Sequence, residues 1–516
     1  MPEVSERAAR PRAGTVFLVF SALLLPIVFS LAATKNLSHD EHQHVAAGML
    51  LAKEGLLPYR DFPHFHTPYL VFIYGALFRW SEHPLLMARA FSALCATGIV
   101  AVVSTLAFGL FRTRGQRLAW VAATLAAVLC LSSAVFTYTT GRAWNQEPCT
   151  LLMLLAFLAV LHAAKTGRAA WLGLSGVLLA LAIGVRITCA PLVAPFAVFV
   201  LMTEPFRWKL RPLLWLAGGL ALGGAGMLAM FAAAPEAFLF GNFQFAEANV
   251  AYRFGTGNPR AMSIAKKLRF LAKEVVRPDL ALVLIAVVPW LAAWQRARRG
   301  DATLHPHLRF ILLLLPFLLV GAFAPSPAFE QYFYPLLPFL VLAAACACSS
   351  FHAGSSCGRW LLAGVAIATS AAVAQRLPEY ENIKRLRRPD LWKPVSFHDR
   401  AAALRDMVPS GRVLTLAPIG PLEAGLKIFP AFSTGPFAWR TAPFIPSEKA
   451  VRLGIVSPST LTDYLAASPP EGILTGLEKR WEEPLVAYAR DSGYRPVRVH
   501  GGKEVLWVPS GSPSAK

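Results

Sequence analysis

Charge is scarce in this chain of 516 residues: Asp, Glu, Lys and Arg together make up 15% of it. That is too little polar surface to cover a water-soluble chain of this length. Acids are scarcer still, 29 against 50 Lys and Arg. The seven cysteines include Cys95, Cys130, Cys149, Cys189, Cys346 and Cys348, in or beside apolar runs, and Cys357 in a short loop, with none after it. The C-terminal region therefore has no disulfide framework and no CxxC metal site. A glycine-rich phosphate loop, a nucleophile motif, HExxH spacing and a nameable internal repeat are also missing. Net charge is +21, but no basic tract is interleaved with stacking aromatics, so no nucleic-acid partner is expected.

In place of charge there are long apolar runs. Mean hydropathy is +0.49, and the runs are long enough to cross a hydrocarbon core of roughly 30 Å as helices. Spans are expected at 14–34, 85–111, 118–138, 148–164, 169–185, 188–203, 212–233, 280–295, 310–324, 332–350 and 359–375. The expected fold class is a polytopic α-helical membrane protein of about 11 spans (1–375) with a small α/β soluble C-terminal domain (376–516). The first run follows Arg7, Arg10 and Arg12 like a signal peptide. It is long for one and ends without a small-x-small cleavage site, which favours a retained helix.

Loop charge gives a direction. With the N-terminus in the cytoplasm, the inside loops 112–117, 165–168, 204–211 and 296–309 are short and basic, as the positive-inside rule requires. Loops 35–84, 139–147, 234–279 and 325–331 and the C-terminal domain then face outward. Loop 234–279 breaks the pattern with Arg253, Arg260, Lys266, Lys267, Arg269, Lys273 and Arg277. It reads as an amphipathic helix on anionic headgroups, as a positive shelf for a phosphate-bearing lipid, or as both. In the C-terminal domain, strands are expected at Val413–Ala417 and Gly472–Gly476 and helices at Ser396–Met407 and Trp481–Asp491. A hairpin is expected about Gly501-Gly502, and the domain is assigned a supporting or acceptor-docking role.

The first outer loop, 35–84, carries the chemistry. It opens with Ser38-His39-Asp40-Glu41-His42-Gln43-His44 and continues through Leu57-Pro58-Tyr59-Arg60-Asp61-Phe62 to His64-Phe65-His66-Thr67-Pro68-Tyr69. Ser38 with Glu41 fits a capping box, and Asp40 suits a first helical turn, so capping accounts for both acids. Yet a carboxylate held just beyond a membrane helix also suits a general base. His39, His42, His44, His64 and His66 crowd the same loop, so a divalent metal is a candidate cofactor. Against it, His42 and His44 would point different ways on a helix; His39, His64 and His66 can instead hydrogen-bond sugar hydroxyls.

A membrane helix, an outward Asp-Glu pair, a helix and then L-P-Y-R-D-F resembles the GT-C superfamily of glycosyltransferases. The resemblance is to its glycosyltransferase family 39-like members, the protein mannosyltransferase and aminoarabinose transferase group. Asn145-Gln146-Glu147-Pro148, Arg186 and Gln331-Tyr332-Phe333-Tyr334-Pro335 fit the same layout. The resemblance implies an inverting transfer of a sugar from a polyprenyl-phosphate donor to a lipid, glycan or protein acceptor at the outer face of a bacterial inner membrane. It makes Asp40 the expected base, with Glu41 assisting or orienting the acceptor. Arg142 and Arg186 become phosphate ligands, since guanidinium matches phosphate geometry. His39, Asp61, His64, His66, Asn145, Glu147 and Tyr332 are further candidates for substrate contact. For the arginines, headgroup snorkelling is the competing explanation; for Glu147, it is the helix N-terminus. A transporter or flippase would place charges in mid-span, and the spans here have almost none there. A scaffold displaying the C-terminal domain would not need this loop.

Overall fold

The computed structural model describes residues 12–257, 262–279, 286–288, 291, 305–350, 356–408, 411–499 and 502–510. Its helices follow the apolar runs. They are α1 (Ala13–Thr34), α2 (His39–Glu54), α3 (Tyr69–Phe78), α4 (Pro84–Phe111), α5 (Gln116–Leu131), α6 (Gln146–Thr166), α7 (Ala170–Val185), α8 (Val193–Met202) and α9 (Leu210–Ala233). After them come α10 (Phe245–Gly255), α11 (Pro306–Phe323), α12 (Leu336–Ser350) and α13 (Ser356–Tyr380).

Among the described residues six helical segments are long and apolar enough to cross a membrane: Ala13–Thr34, Pro84–Arg114, Gln146–Thr166, Leu210–Ala233, Pro306–Phe323 and Glu330–Ser349. Apolar α3, α5, α7 and the stretch Ile187–Met202 are shorter. The expected span 280–295 lies almost wholly outside the described residues.

Two expected spans are interrupted. Helix α5 stops at Leu131, and a separate turn of helix resumes at Ala134 after Ser133 takes an extended backbone. The stretch from Ile187 begins as a 3₁₀ helix containing Pro191, which has no N–H to offer the helical ladder, and becomes α8 only at Val193. The bundle packs tightest where side chains are smallest. A Cβ on Gly176 would lie 2.2 Å from the Leu216 carbonyl oxygen, and one on Gly219 would lie 2.0 Å from that of Gly173. Only glycine lets α7 and α9 approach so closely, the small-residue contact of membrane helices.

The C-terminal domain adds α14 (Lys393–Met407), α15 (Ile419–Glu423), α16 (Pro436–Thr441) and α17 (Glu483–Asp491) around a five-stranded sheet. Its strands are β1 (Arg412–Thr415), β2 (Lys427–Ile428), β3 (Gly472–Thr475), β4 (Tyr494–Arg498) and β5 (Val505–Pro509), in the order β2-β1-β3-β5-β4. Pairs β1–β2 and β1–β3 are parallel, and the expected hairpin supplies antiparallel β4–β5. The domain is packed directly on the first loop: Phe397, Ile419, Leu422 and Ile428 share one apolar core with Val45, Leu50, Val71 and Leu85.

Candidate active site

The loop after α1 is built by caps. Ser38 and Glu41 form the expected capping box at the start of α2, and Gly55, at φ 68°, ends that helix in the left-handed region. The L-P-Y-R-D-F motif is a closed turn. The Leu57 amide donates to Asp61 Oδ2 at 2.7 Å, and the Tyr59 amide to the Phe62 carbonyl at 3.0 Å. Tyr59 sits at φ 67°, unusual for a residue with a Cβ, and its ring is buried between His64 and Phe238. Its hydroxyl donates to the His66 carbonyl and accepts from Asn242 at 3.2 Å. The motif thereby fixes His64–Phe65–His66 beneath α2.

A cavity of about 750 Å³ opens between the helical bundle and the C-terminal domain. Ser38 and the start of α2, the turn before α6, the break after α7 and the approaches to α10 and α12 line it. Phe437, Arg440, Arg480 and Trp481 close it from the C-terminal domain. Among the described lining residues Asp40 is the sole carboxylate, facing Arg186, Arg253, Arg440 and Arg480.

Of the residues singled out from sequence, Asp40, His39, His66, Asn145, Arg186 and Tyr332 line this cavity together. His39 Nε2 lies 3.3 Å from Asp40 Oδ1, and burial holds the imidazole below its ordinary pKa against the pull of Asp40. The rings of His44 and His66 lie 4.8 Å apart, tilted by 37°. Burial, reinforced by Arg186, holds the His66 pKa down to about 4, so this ring is neutral and suited to hydroxyls rather than anions. Arg186 donates to Asn145 Oδ1 at 3.1 Å and to Thr188 Oγ1 at 2.8 Å, and lies 4.9 Å from the centre of the Tyr332 ring. Its partners are neutral, and no carboxylate pairs with it among the described residues, so its buried charge is available to an anion.

The remaining candidates fall elsewhere. Glu41, expected to assist at the acceptor, is fully buried and turned the other way. Arg89 grips both its oxygens, at 2.8 and 2.7 Å, while the amides of Ala143 and Ser38 donate to it at 2.8 and 2.9 Å. Burial pushes its carboxyl upward, but Arg89 and these amides outweigh that and leave it below the ordinary value. With its acceptor capacity spent, Glu41 has none for a substrate, a correction to its expected role. Asp61 is used by the turn and by Arg60, 2.8 Å away. His64 is buried behind His66. Arg142 does not line the cavity; it lies over Tyr138 and Trp144, which do. Glu147 is buried in the first turn of α6, outside the cavity wall. The first-loop histidines do not gather three ligands about one point among the described residues.

Sequence reading missed Arg89 and the four residues from the C-terminal domain. Arg89 had a signal: it is an arginine inside an otherwise apolar run, where a charge calls for a partner. Arg440 and Trp481 had none, because nothing local in a soluble domain announces that it caps a membrane cavity.

Comparison with known proteins bears on the fold. Residues 66–229 match the family profile of dolichyl-phosphate-mannose-protein mannosyltransferases, about a third of the chain. A sequence search among curated proteins returns no match. Among solved structures, the crystal structure of ArnT from Cupriavidus metallidurans bound to undecaprenyl phosphate aligns at 15% identity and a TM-score of 0.56, covering 96% of this chain and 98% of that one. Its apo state aligns at 14% identity and 0.57, with the same coverage. The apo oligosaccharyltransferase of Archaeoglobus fulgidus aligns at 13% and 0.52, covering 97% of this chain and 75% of that one. Spanning the bilayer many times and closing one end of its bundle with a small sheet domain, the chain shares its fold with ArnT.

Proposed function

We propose that this protein transfers a sugar, with inversion, from a polyprenyl-phosphate donor to an acceptor hydroxyl or amine at the outer face of the membrane. The observation that carries the reading is one carboxylate, Asp40, sharing a cavity with an arginine, Arg186, whose partners are all neutral. In the reaction Asp40 accepts the proton of the acceptor nucleophile, which attacks the anomeric carbon from the face opposite the phosphate. The bond between that carbon and the phosphate oxygen breaks, and Arg186 stabilises the departing phosphate. Neutral His44 and His66 are placed to hydrogen-bond sugar hydroxyls. The apolar walls of Phe243, Phe245 and Phe329 suit the first isoprene units of the carrier. No step needs a metal ion.

The outward placement rests on loop charge: the cavity is lined from the bundle end opposite the basic loops 112–117, 165–168 and 204–211. ArnT was solved with undecaprenyl phosphate, which supports the donor class. The experiment is Asp40→Asn in vesicles of known orientation, with labelled polyprenyl-phosphate sugar and a membrane-impermeant acceptor. Wild type should label acceptor on the outer side only, and the variant should lose transfer while inserting normally. Transfer at near wild-type rate in the variant would remove Asp40 as base, and labelling from the inner side would reverse the topology.

A further inference from the structure

Three side chains distant in sequence meet outside the cavity wall. His83 is the N-cap residue just before α4, His398 stands on α14, and Glu423 ends α15. One donor atom from each lies within 4.8 Å of the other two. His398 Nδ1 is 2.6 Å from Glu423 Oε2, and the rings of His83 and His398 approach to 4.0 Å between centres. Nδ1 of His83 is buried without a hydrogen-bond partner among the described residues. The second oxygen of Glu423 accepts the Leu85 amide at 2.7 Å, which fixes the carboxylate in place.

We propose that His83, His398 and Glu423 bind a divalent cation of the zinc class, which staples the start of a membrane helix to the C-terminal domain. Two imidazoles and a carboxylate are a common donor set for that ion, and they leave a fourth position for water. Tetrahedral ligands at roughly 2.0–2.1 Å from zinc stand about 3.3–3.4 Å apart. The His398–Glu423 pair, at 2.6 Å, has to open slightly to reach that value, and all three donors already lie within 4.8 Å of one another, so small side-chain rotations complete the site. The Leu85 amide on Glu423 is the outer-shell bond that such carboxylate ligands carry. None of the three residues lines the cavity, so the ion is structural. His398 remains partly exposed, which gives the ion a way in. Helix α15 also packs against α2, so the staple holds in register the domain that places Arg440 and Trp481 over Asp40.

The test uses the full-length protein in detergent, stripped with a chelator, reloaded with Zn²⁺ and assayed for bound metal by mass spectrometry and for affinity by competition with a chromogenic chelator. Wild type and Asp40→Asn should each retain one equivalent, and zinc should raise the thermal midpoint of both. His83→Ala and His398→Ala should weaken binding by more than about 100-fold, beyond the loss typical of outer-shell changes. Glu423→Gln keeps an acceptor for the Leu85 amide, so it guards against loss by misfolding, and it should weaken binding as well. The proposal is overturned if wild type retains no zinc, or if the variants bind like wild type. It is equally overturned if Asp40→Asn loses the ion while His83→Ala keeps it, since the metal would then belong to the cavity.

Discussion

Asp40 and Glu41 follow one another on the first turn of α2, yet they stand in two different regions. Asp40 faces the cavity, with side-chain exposure of 28% and arginines across from it. Glu41 faces the junction of α1, α2 and α4, with exposure of 0% and all its bonds made to protein. Arg89, which holds Glu41, also donates to the carbonyls of Lys35 at 2.7 Å and Asn36 at 3.1 Å. One carboxylate thus anchors the turn that aims the other. In a chain poor in acids, the pair divides into a group that lines the cavity and a group committed to geometry.

The comparison breaks most sharply if the two acids are exchanged in role. Asp40→Asn should cut transfer by about 10²–10⁴, the range for loss of a general base, with little change in thermal midpoint. Glu41→Gln should do the reverse in kind. Leaving Arg89 buried without its counter-charge costs about 3–5 kcal/mol, so thermal unfolding in detergent should move down strongly before activity is considered. A Glu41→Gln protein of wild-type stability with transfer abolished would mean that the division of labour is wrong.

Much of this was legible in the sequence, and the parts that were not share a physical cause. Apolar runs set most of the helices, because a bilayer demands length and hydrophobicity that little else in a sequence mimics. The capping box at Ser38 and Glu41 was readable because it is local. What α2 does with two adjacent acids was not, since the answer lies in Arg89, 48 positions away from Glu41. The breaks at Ser133 and Pro191 were hidden inside continuous hydrophobicity. The short strand β2 was missed because two residues carry no period, and Phe437, Arg440 and Trp481 reach the cavity only through the tertiary docking of the C-terminal domain.

A smaller effect separates the cavity's arginines from those at its edge. Arg186 is buried with neutral partners, whereas Arg142 is spent on Tyr138 and Trp144 and on the Tyr138 carbonyl at 3.1 Å. Losing a charged hydrogen bond to the donor phosphate is worth about 1.5–3 kcal/mol, so Arg186→Ala should raise the donor KM roughly 10- to 100-fold. Arg142→Ala should change it by less than about threefold, as for a residue outside the phosphate's reach. Equal losses in steady-state assays with labelled donor would mean that both bind phosphate or that neither does.

The smallest effect tests whether the region above α2 belongs to the cavity side or the structural side. Glu478, on the loop after β3, approaches His42 Nε2 at 4.0 Å and lies behind the cavity wall formed by Arg480 and Trp481. Burial first, and then the neighbouring Glu482, push its carboxyl up to about 7, against an opposing pull from Arg440. A carboxyl whose folded pKa is raised binds its proton more tightly in the folded state than in the unfolded one. Its contribution to stability is therefore intact below the ordinary value of 4.5 and is lost as pH climbs through about 7. Glutamine keeps the neutral shape at every pH. Glu478→Gln should match wild type at pH 4 and exceed it at pH 8 by on the order of a few °C in thermal midpoint. Because burial, rather than Asp40, is the main cause, the gain should persist in an Asp40→Asn background. If it disappears there, Glu478 is coupled to Asp40 and belongs with the cavity.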